Sequence, residues 1–251
     1  MTLDDWAAAA DTRYLADLTR REVARALRAL SSCYVERREK LAAGDAIATA
    51  GKRAAFALYY GPLHFLAVDQ IARAVASLSS APAGGARMLV DLGCGTGTAG
   101  AAWALQSGGR VEGYDINPWA VAEANWTYRT FRVDGAARRV PLDRVRLPKK
   151  PADILLAYLL NELPPSDRAA IGERLFAAAQ DGHRVVIVEP IARGVTPWWP
   201  EWERRVSAAG GRADEWRWRV DAPALMRQLG KAAGLELREI TARTLMLGFS
   251  Q

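Results

Sequence analysis

Two hydrophobic rhythms divide the chain. Up to about residue 80, apolar residues recur every three or four positions, as in "YLADLTRREVARALRAL" and "HFLAVDQIARAVASL", and this spacing predicts a helical N-terminal region. Within it, Gly61 and Pro62 of "AAFALYYGPLHF" predict a break or sharp bend, with Tyr59, Tyr60 and His64 gathered around it. The tract "SSAPAGGAR" reads as a connector. Beyond it, short apolar runs alternate with helical patterns. Strands are expected in "RMLVDLG", "RVEGYD", weakly near "RRVPLD", in "ADILLAYLL" and in "HRVVIVEP", with late strands in "LELREITARTLMLGF". Helices are expected from about Thr98, through "PWAVAEANWTYRTF", through "RAAIGERLFAAA" and near "APALMRQLGKAAG". Such alternation predicts an α/β, Rossmann-like, doubly wound and mostly parallel sheet covered on both faces. The expected division is a helical region over residues 1–83, on the substrate side, and the α/β domain over residues 84–251.

Composition trims the possibilities. With 251 residues, half of them hydrophobic and a quarter charged, the chain can bury one large α/β core and a small helical annex. Two cysteines, Cys33 and Cys94, make neither a disulfide framework nor a four-ligand metal site. Only His64 and His183 could add to them, so no metal is expected. The opening "MTLDDWAAAADTRYLADLTRREVARAL" sets acids and arginines where a signal peptide needs an apolar core, and no later run approaches membrane-spanning length. The expectation is a cytoplasmic chain without membrane contact. A net charge of +6 permits an acidic partner such as RNA without requiring one.

The stretch "MLVDLGCGTGTAG" carries the candidate chemistry: a buried-strand pattern ends in Asp91 and runs into a turn with glycine at positions 93, 95 and 97. In doubly wound sheets ligands bind beyond the carboxyl ends of the strands, and glycines there remove side chains that would block a close approach. No Gly-Lys-Ser/Thr follows, so this is not a P-loop. Asp91 ahead of the turn would repel a pyrophosphate and tolerates a ligand bearing positive charge. One strand later, Asp115 stands where a carboxylate grips a ribose, followed by Ile116. Cys94 lies inside the turn, where a small side chain is required, and reads as packing.

Together "DLGCGTG", "GYDINP" and "ADILLAYLLNEL" resemble the motifs of class I S-adenosylmethionine-dependent methyltransferases over roughly Met88 to Phe249. The resemblance implies that S-adenosyl-L-methionine is the cofactor. It places Asp91, Gly93, Cys94, Gly95 and Gly97 around the methionine part, Asp115 and Ile116 at the ribose, and Asp143 at the adenine amino group, with Asp134 competing for that last role. The fourth strand would bring Tyr158, Asn161 and Glu162 to the transferring methyl, Asn161 to orient a nucleophile and Glu162 to accept a proton, unless both only fix the turn. The amino-group signature "NPPY" is absent, since "NELP" breaks it at its second position.

Acceptor recognition is expected from Tyr60 and His64 and from Trp198 and Trp199 in "TPWWPEWERR", where aromatic faces beside arginines suit stacking on a base, although tryptophans more often fill cores. "TYRTFRVDGAARRVPLDRVRLPKK", rich in Arg and Lys, could track phosphates. Three features, "GKRAAFALYYGPLHF", "AYLLNELP" and "VVIVEP", are similar to the methyltransferase-like assembly factors of the small ribosomal subunit. Relatives in that branch carry clustered cysteines for an iron-sulfur cluster after the fifth strand, where this chain has none. Three functions are implied: methyl transfer to ribosomal or other RNA, O- or N-methylation of a small molecule, or cofactor-dependent assembly without turnover.

Overall fold

The computed structural model describes residues 1–36, 47–78, 86–219, 221–235 and 237–249. The expected boundary between residues 83 and 84, and most of the connector "SSAPAGGAR", lie outside them. Seven strands, β1 (Leu89–Leu92), β2 (Val111–Asp115), β3 (Gly135–Arg139), β4 (Asp153–Ala157), β5 (Arg184–Glu189), β6 (Arg212–Trp218) and β7 (Ile240–Leu247), form one sheet in the order β3-β2-β1-β4-β5-β7-β6. The first five pair in parallel, and β7 slots antiparallel between β5 and β6. Every residue of β1 is buried, as a central parallel strand covered on both faces requires.

Two elements differ from the sequence pattern for identifiable reasons. Strand β3 runs through "GAARR" rather than "RRVPLD", because the Tyr128 ring lies against it: a Cβ on Gly135 would sit 3.0 Å from that ring. Small residues are needed there, and they hide the strand. Strand β6, "RADEWRW", alternates charged and aromatic positions, with Trp216 stacked on Trp218 at 5.3 Å, and forms an edge of the sheet where the sequence pattern indicated no strand. Of the late run only Ile240–Leu247 is strand.

The helices are α1 (Leu3–Tyr14), α2 (Arg20–Glu36), α3 (Ala50–Ala55), α4 (Gly61–Leu78), α5 (Thr98–Ser107), α6 (Pro118–Phe131), α7 (Pro165–Gln180), α8 (Trp199–Ala208) and α9 (Ala224–Ala233). The expected break at Gly61 and Pro62 does not occur: a π-helical turn, Phe56–Tyr60, joins α3 to α4. Its Gly61 N–H donates to the Phe56 carbonyl, and this wider turn eases the clash of the Pro62 ring with the carbonyl four residues back.

One core lies between the sheet and α1, α2, α4, α5, α6 and α9, built on Trp6, Leu27, Ile71, Trp103 and Tyr128. The other lies under α7 and α8, around Ile154, Leu175, Ile187 and Trp202. The N-terminal helices are therefore part of the first core. Arg13 donates twice to the buried Glu123 carboxylate of α6, at 2.9 and 2.8 Å, and the Trp6 indole donates to Thr127 at 3.3 Å. Gln106 of α5 donates to Asp69 of α4 at 2.7 Å. These bonds tie α1 to α6 and α4 to α5.

Candidate active site

The turn after β1 holds Gly93, Gly95 and Gly97 at φ of +70°, +52° and +74°. The side of each glycine separates two duties. A Cβ on Gly93 would lie 2.7 Å from Leu159, so that glycine serves packing, whereas a Cβ on Gly95 would meet nothing closer than Phe56 at 3.8 Å. Gly95 thus leaves room on the side of the turn that faces the Phe56 ring. Asp115, at the end of β2, accepts from the Gly95 N–H at 3.0 Å and from the Asn117 N–H at 2.8 Å, one bond to each carboxylate oxygen. Each oxygen keeps a further lone pair. The Asn117 side chain caps α6, with Pro118 at its first position, and so sets where Asp115 stands.

Ile116 beside it is 59% exposed, an apolar face with nothing on it. Asp143 lies in a 3₁₀ turn, Leu142–Arg144, just past the carboxyl end of β3. Asp134 immediately precedes β3 and so lies at the amino end of that strand, away from the cofactor turn. Asp91 is buried, and its two oxygens accept no hydrogen bond of full geometry among the described residues, although the nearby Gly100 N–H favours its charge. Burial, then the charge of Asp115, pushes its pKa up to about 7. Burial, with the charges of Asp91 and Asp115 behind it, raises the Cys94 thiol well above its ordinary value, so the cysteine stays protonated and packs. Open room beside a bare backbone, spare lone pairs on Asp115, an exposed apolar side chain and a buried second acid fit an adenosine that carries a cationic sulfonium.

The turn after β4 is built differently. Tyr158 takes the left-handed conformation at φ +60°, its N–H donating to the Val188 carbonyl at 2.7 Å. Its ring stacks on His64 of α4, centroids 4.2 Å apart. Burial lowers the His64 pKa to about 3, so that imidazole is neutral. Phe56, Tyr60 and His64, spaced four apart, form one aromatic row (Phe56–Tyr60 5.8 Å, Tyr60–His64 6.2 Å), which Trp119 of α6 extends at 6.3 Å from Phe56. Asn161 donates through Nδ2 to the Tyr158 carbonyl at 3.0 Å and to Glu189 at 2.7 Å, and its backbone N–H donates to Glu189 at 3.2 Å. Glu189 ends β5, is fully buried, and has its pKa raised by burial to about 7.

Tyr60, His64, Tyr158 and Asn161 are thus brought together, with Glu162 next along the turn, its N–H donating to the Leu159 carbonyl. Trp198 and Trp199 are not part of this gathering. Both are buried with Trp202 in the second core, and Trp199 is covered by the Arg243 guanidinium at 4.1 Å. Their indoles fill the contact of α8 with the sheet, and Trp199 also borders a separate groove of about 500 Å³ with Pro197, Glu203, Asp214 and Arg243. Arg138 and Arg139 sit exposed on edge strand β3, and Arg139 donates to the Ile116 carbonyl at 3.0 Å. Phe56, Trp119 and Glu189 are the site residues that the sequence pattern did not single out. The four-residue spacing from Phe56 to His64, and an acid closing the apolar run "VVIVE", were the available signals. Among the described residues no group of three or more His, Cys, Asp or Glu is placed to hold a metal, and no helix is long and apolar enough to cross a membrane.

This sheet order, with a glycine turn after β1 and an acid ending β2, defines a class I methyltransferase fold. Residues 63–240 match the methyltransferase domain family, and the chain belongs to it. The carboxy-S-adenosyl-L-methionine synthase of Chromohalobacter salexigens is 36% identical over 109 residues, a stretch that spans 40% of this chain and 39% of that protein. Among solved structures, the mitomycin 7-O-methyltransferase MmcR superposes with a TM-score of 0.53 at 14% identity, covering 98% of this chain and 73% of that one. The plantazolicin methyltransferase BpumL, in complex with SAH, gives 0.51 at 11% identity, covering 88% and 95%. At such identities these two share the fold.

Proposed function

We propose that the chain methylates RNA, taking the acceptor base in beside Tyr158 and Asn161 while the sugar-phosphate backbone lies along the N-terminal helices. The observation that carries this reading is a groove of about 560 Å³ between α2 and α9, lined by Arg20, Arg21, Arg25 and Arg28 and, among the described residues, by no carboxylate. All four arginines are exposed. Arg20 donates to Gln228 at 3.2 Å and Arg28 to the Ala232 carbonyl at 2.9 Å, which holds both ends of the row in place. Asp11 approaches Arg20 at one end, 3.8 Å away. Guanidinium groups in such excess over acids favour phosphates. The groove shares a wall with the aromatic row: α9 packs on the π-helical turn, where a Cβ on Gly230 would lie 3.0 Å from the Tyr59 ring.

When bound, S-adenosyl-L-methionine supplies a methyl group on a sulfonium, so that alignment and dryness are what the protein must add. Gly95 admits the ligand to the backbone. Asp115 accepts from two ribose hydroxyls through its remaining lone pairs, and Ile116 and Asp143 flank the adenine ring and its amino group. Asn161 spends both amide hydrogens on Tyr158 and Glu189, which leaves Oδ1 to accept from the acceptor's N–H or O–H. Phe56, Tyr60, His64 and Tyr158 exclude water and offer faces to a planar ring. The similarity to small-subunit assembly factors makes ribosomal RNA the first substrate to try.

A second reading, a small planar acceptor, is favoured by the aromatic lining itself. Mass spectrometry of RNA and metabolite extracts incubated with methyl-labelled cofactor separates the two. In filter binding to a ribosomal RNA fragment, affinity should fall steeply between about 50 and 200 mM salt, and Arg21→Glu with Arg25→Glu should flatten that slope without changing S-adenosylhomocysteine binding. Label confined to metabolites, with a shallow slope that the double variant leaves unaltered, would transfer the assignment to the small molecule.

A further inference from the structure

We propose that Glu189 is a positioning residue that holds the aromatic cap over the cofactor turn, acting through Asn161 and the left-handed Tyr158. The chain of contacts is continuous. Glu189 accepts both the backbone and the side-chain N–H of Asn161, at 3.2 and 2.7 Å. The same Asn161 amide holds the Tyr158 carbonyl at 3.0 Å, and the Tyr158 ring stacks on His64, which ties this turn to the aromatic row. A left-handed tyrosine is strained and persists only where neighbours hold it. Here Asn161 and the Val188 carbonyl hold it from below, and His64 from above.

The alternative, that Glu189 merely fills the end of β5, does not account for its bonding. Arg243, its register partner on β7, lends it positive charge. Beyond that, each carboxylate oxygen of Glu189 accepts a hydrogen bond from Asn161, the residue that shapes the neighbouring turn, which filling the end of a strand does not require. His64 is neutral and brings no charge to the stack, so what passes from β5 to the cap is geometry. The inference rests on the family's cofactor turn lying beneath Phe56 and not on the nature of the acceptor.

Hydrogen exchange on the ligand-free protein tests it without any substrate. Glu189→Gln sets an amide N–H against the Asn161 donors, and exchange over residues 56–64 should quicken about tenfold while residues 98–107 stay as they were. His64→Ala should produce the same local effect, Tyr158→Phe should produce none, and Glu189→Gln combined with His64→Ala should be no worse than either alone, since both cut one chain. S-adenosylhomocysteine, added as the probe ligand, should slow exchange over residues 56–64 in Tyr158→Phe as much as in the unsubstituted protein, and should restore protection only partly in Glu189→Gln. Exchange over 56–64 that is unchanged in folded Glu189→Gln, or two effects that multiply in the combination, would overturn the proposal. If Glu189→Gln does not fold, Asn161→Ala severs the same link, and its exchange over 56–64 decides the matter in the same way.

Discussion

The turns after β1 and β4 lie side by side at the same edge of the sheet, and both bend through positive φ, yet one is built of glycine and the other of tyrosine. The glycine turn keeps its backbone bare because a ligand must come against it. The tyrosine turn accepts strain because it needs the ring. Each also stands near a buried carboxyl whose pKa is raised to about 7, but Asp91 accepts no hydrogen bond of full geometry among the described residues while Glu189 accepts two from Asn161. The first turn is arranged around a ligand still to arrive, the second around neighbours already in place.

The contrast can be broken most severely at Gly95. Gly95→Val puts a branched side chain into the room facing the Phe56 ring at a φ that valine avoids, and calorimetry should find no S-adenosylhomocysteine binding in a protein whose circular dichroism is unchanged. Next is Asp115→Ala, which removes two charge-assisted bonds to the ribose and should weaken binding by about 2 to 4 kcal/mol. Unaltered affinity in that variant would place the ribose elsewhere.

The two buried acids should respond to different degrees. At pH 8, Asp91→Asn removes a buried charge that burial disfavours and should raise stability by about 1 to 3 kcal/mol in urea unfolding, whereas Glu189→Gln gains the same relief but loses an acceptor for Asn161, so its net change should be smaller. The linkage has a definite sign. For both acids the folded pKa lies above the unfolded one, so their stabilising contribution is full below about pH 4 and lost as pH rises through 7. Asp91→Asn should therefore flatten the decline across that window.

Smaller still is the exchange of turn residues. Gly93→Ala pushes a Cβ against Leu159 in a left-handed position and should cost about 1 to 3 kcal/mol. Tyr158→Gly relieves strain while losing a stacked ring and should change stability by about 1 kcal/mol or less. If Tyr158→Gly proved as damaging as Gly93→Ala, the tyrosine would be there for the fold alone.

The cofactor side of this site was legible in the sequence because its requirements are local. A glycine at 95 and an acid at 115 state their purpose through spacing, and α5 begins at Thr98 as the pattern indicates. Acceptor-side residues are assembled from distant parts of the chain, and there composition misled. Trp198 and Trp199 look like a stacking platform beside arginines, but only the packing of α8 on the sheet shows that they are core. Phe56 shows nothing by itself until α3 and α4 are seen to run on as one helix over the β1 turn. Strand β6 was obscured because an edge strand with one wet face carries its charges in the same alternation as a solvated loop.

The π-helical turn at Phe56–Tyr60 amounts to one residue more than an α-helix would use. Each residue of an α-helix advances the direction of the side chains by about 100°, so an extra one resets the phase of α3 relative to α4. Deleting Ala57 would let α3 and α4 fuse into an ordinary helix and swing everything upstream, Phe56 included, by roughly a quarter of a revolution relative to His64. The inserted residue therefore works as a key cut between two halves of one rod. A homologue of the same length and composition, but with its insertion moved by a turn, would present a different wall to the same cofactor.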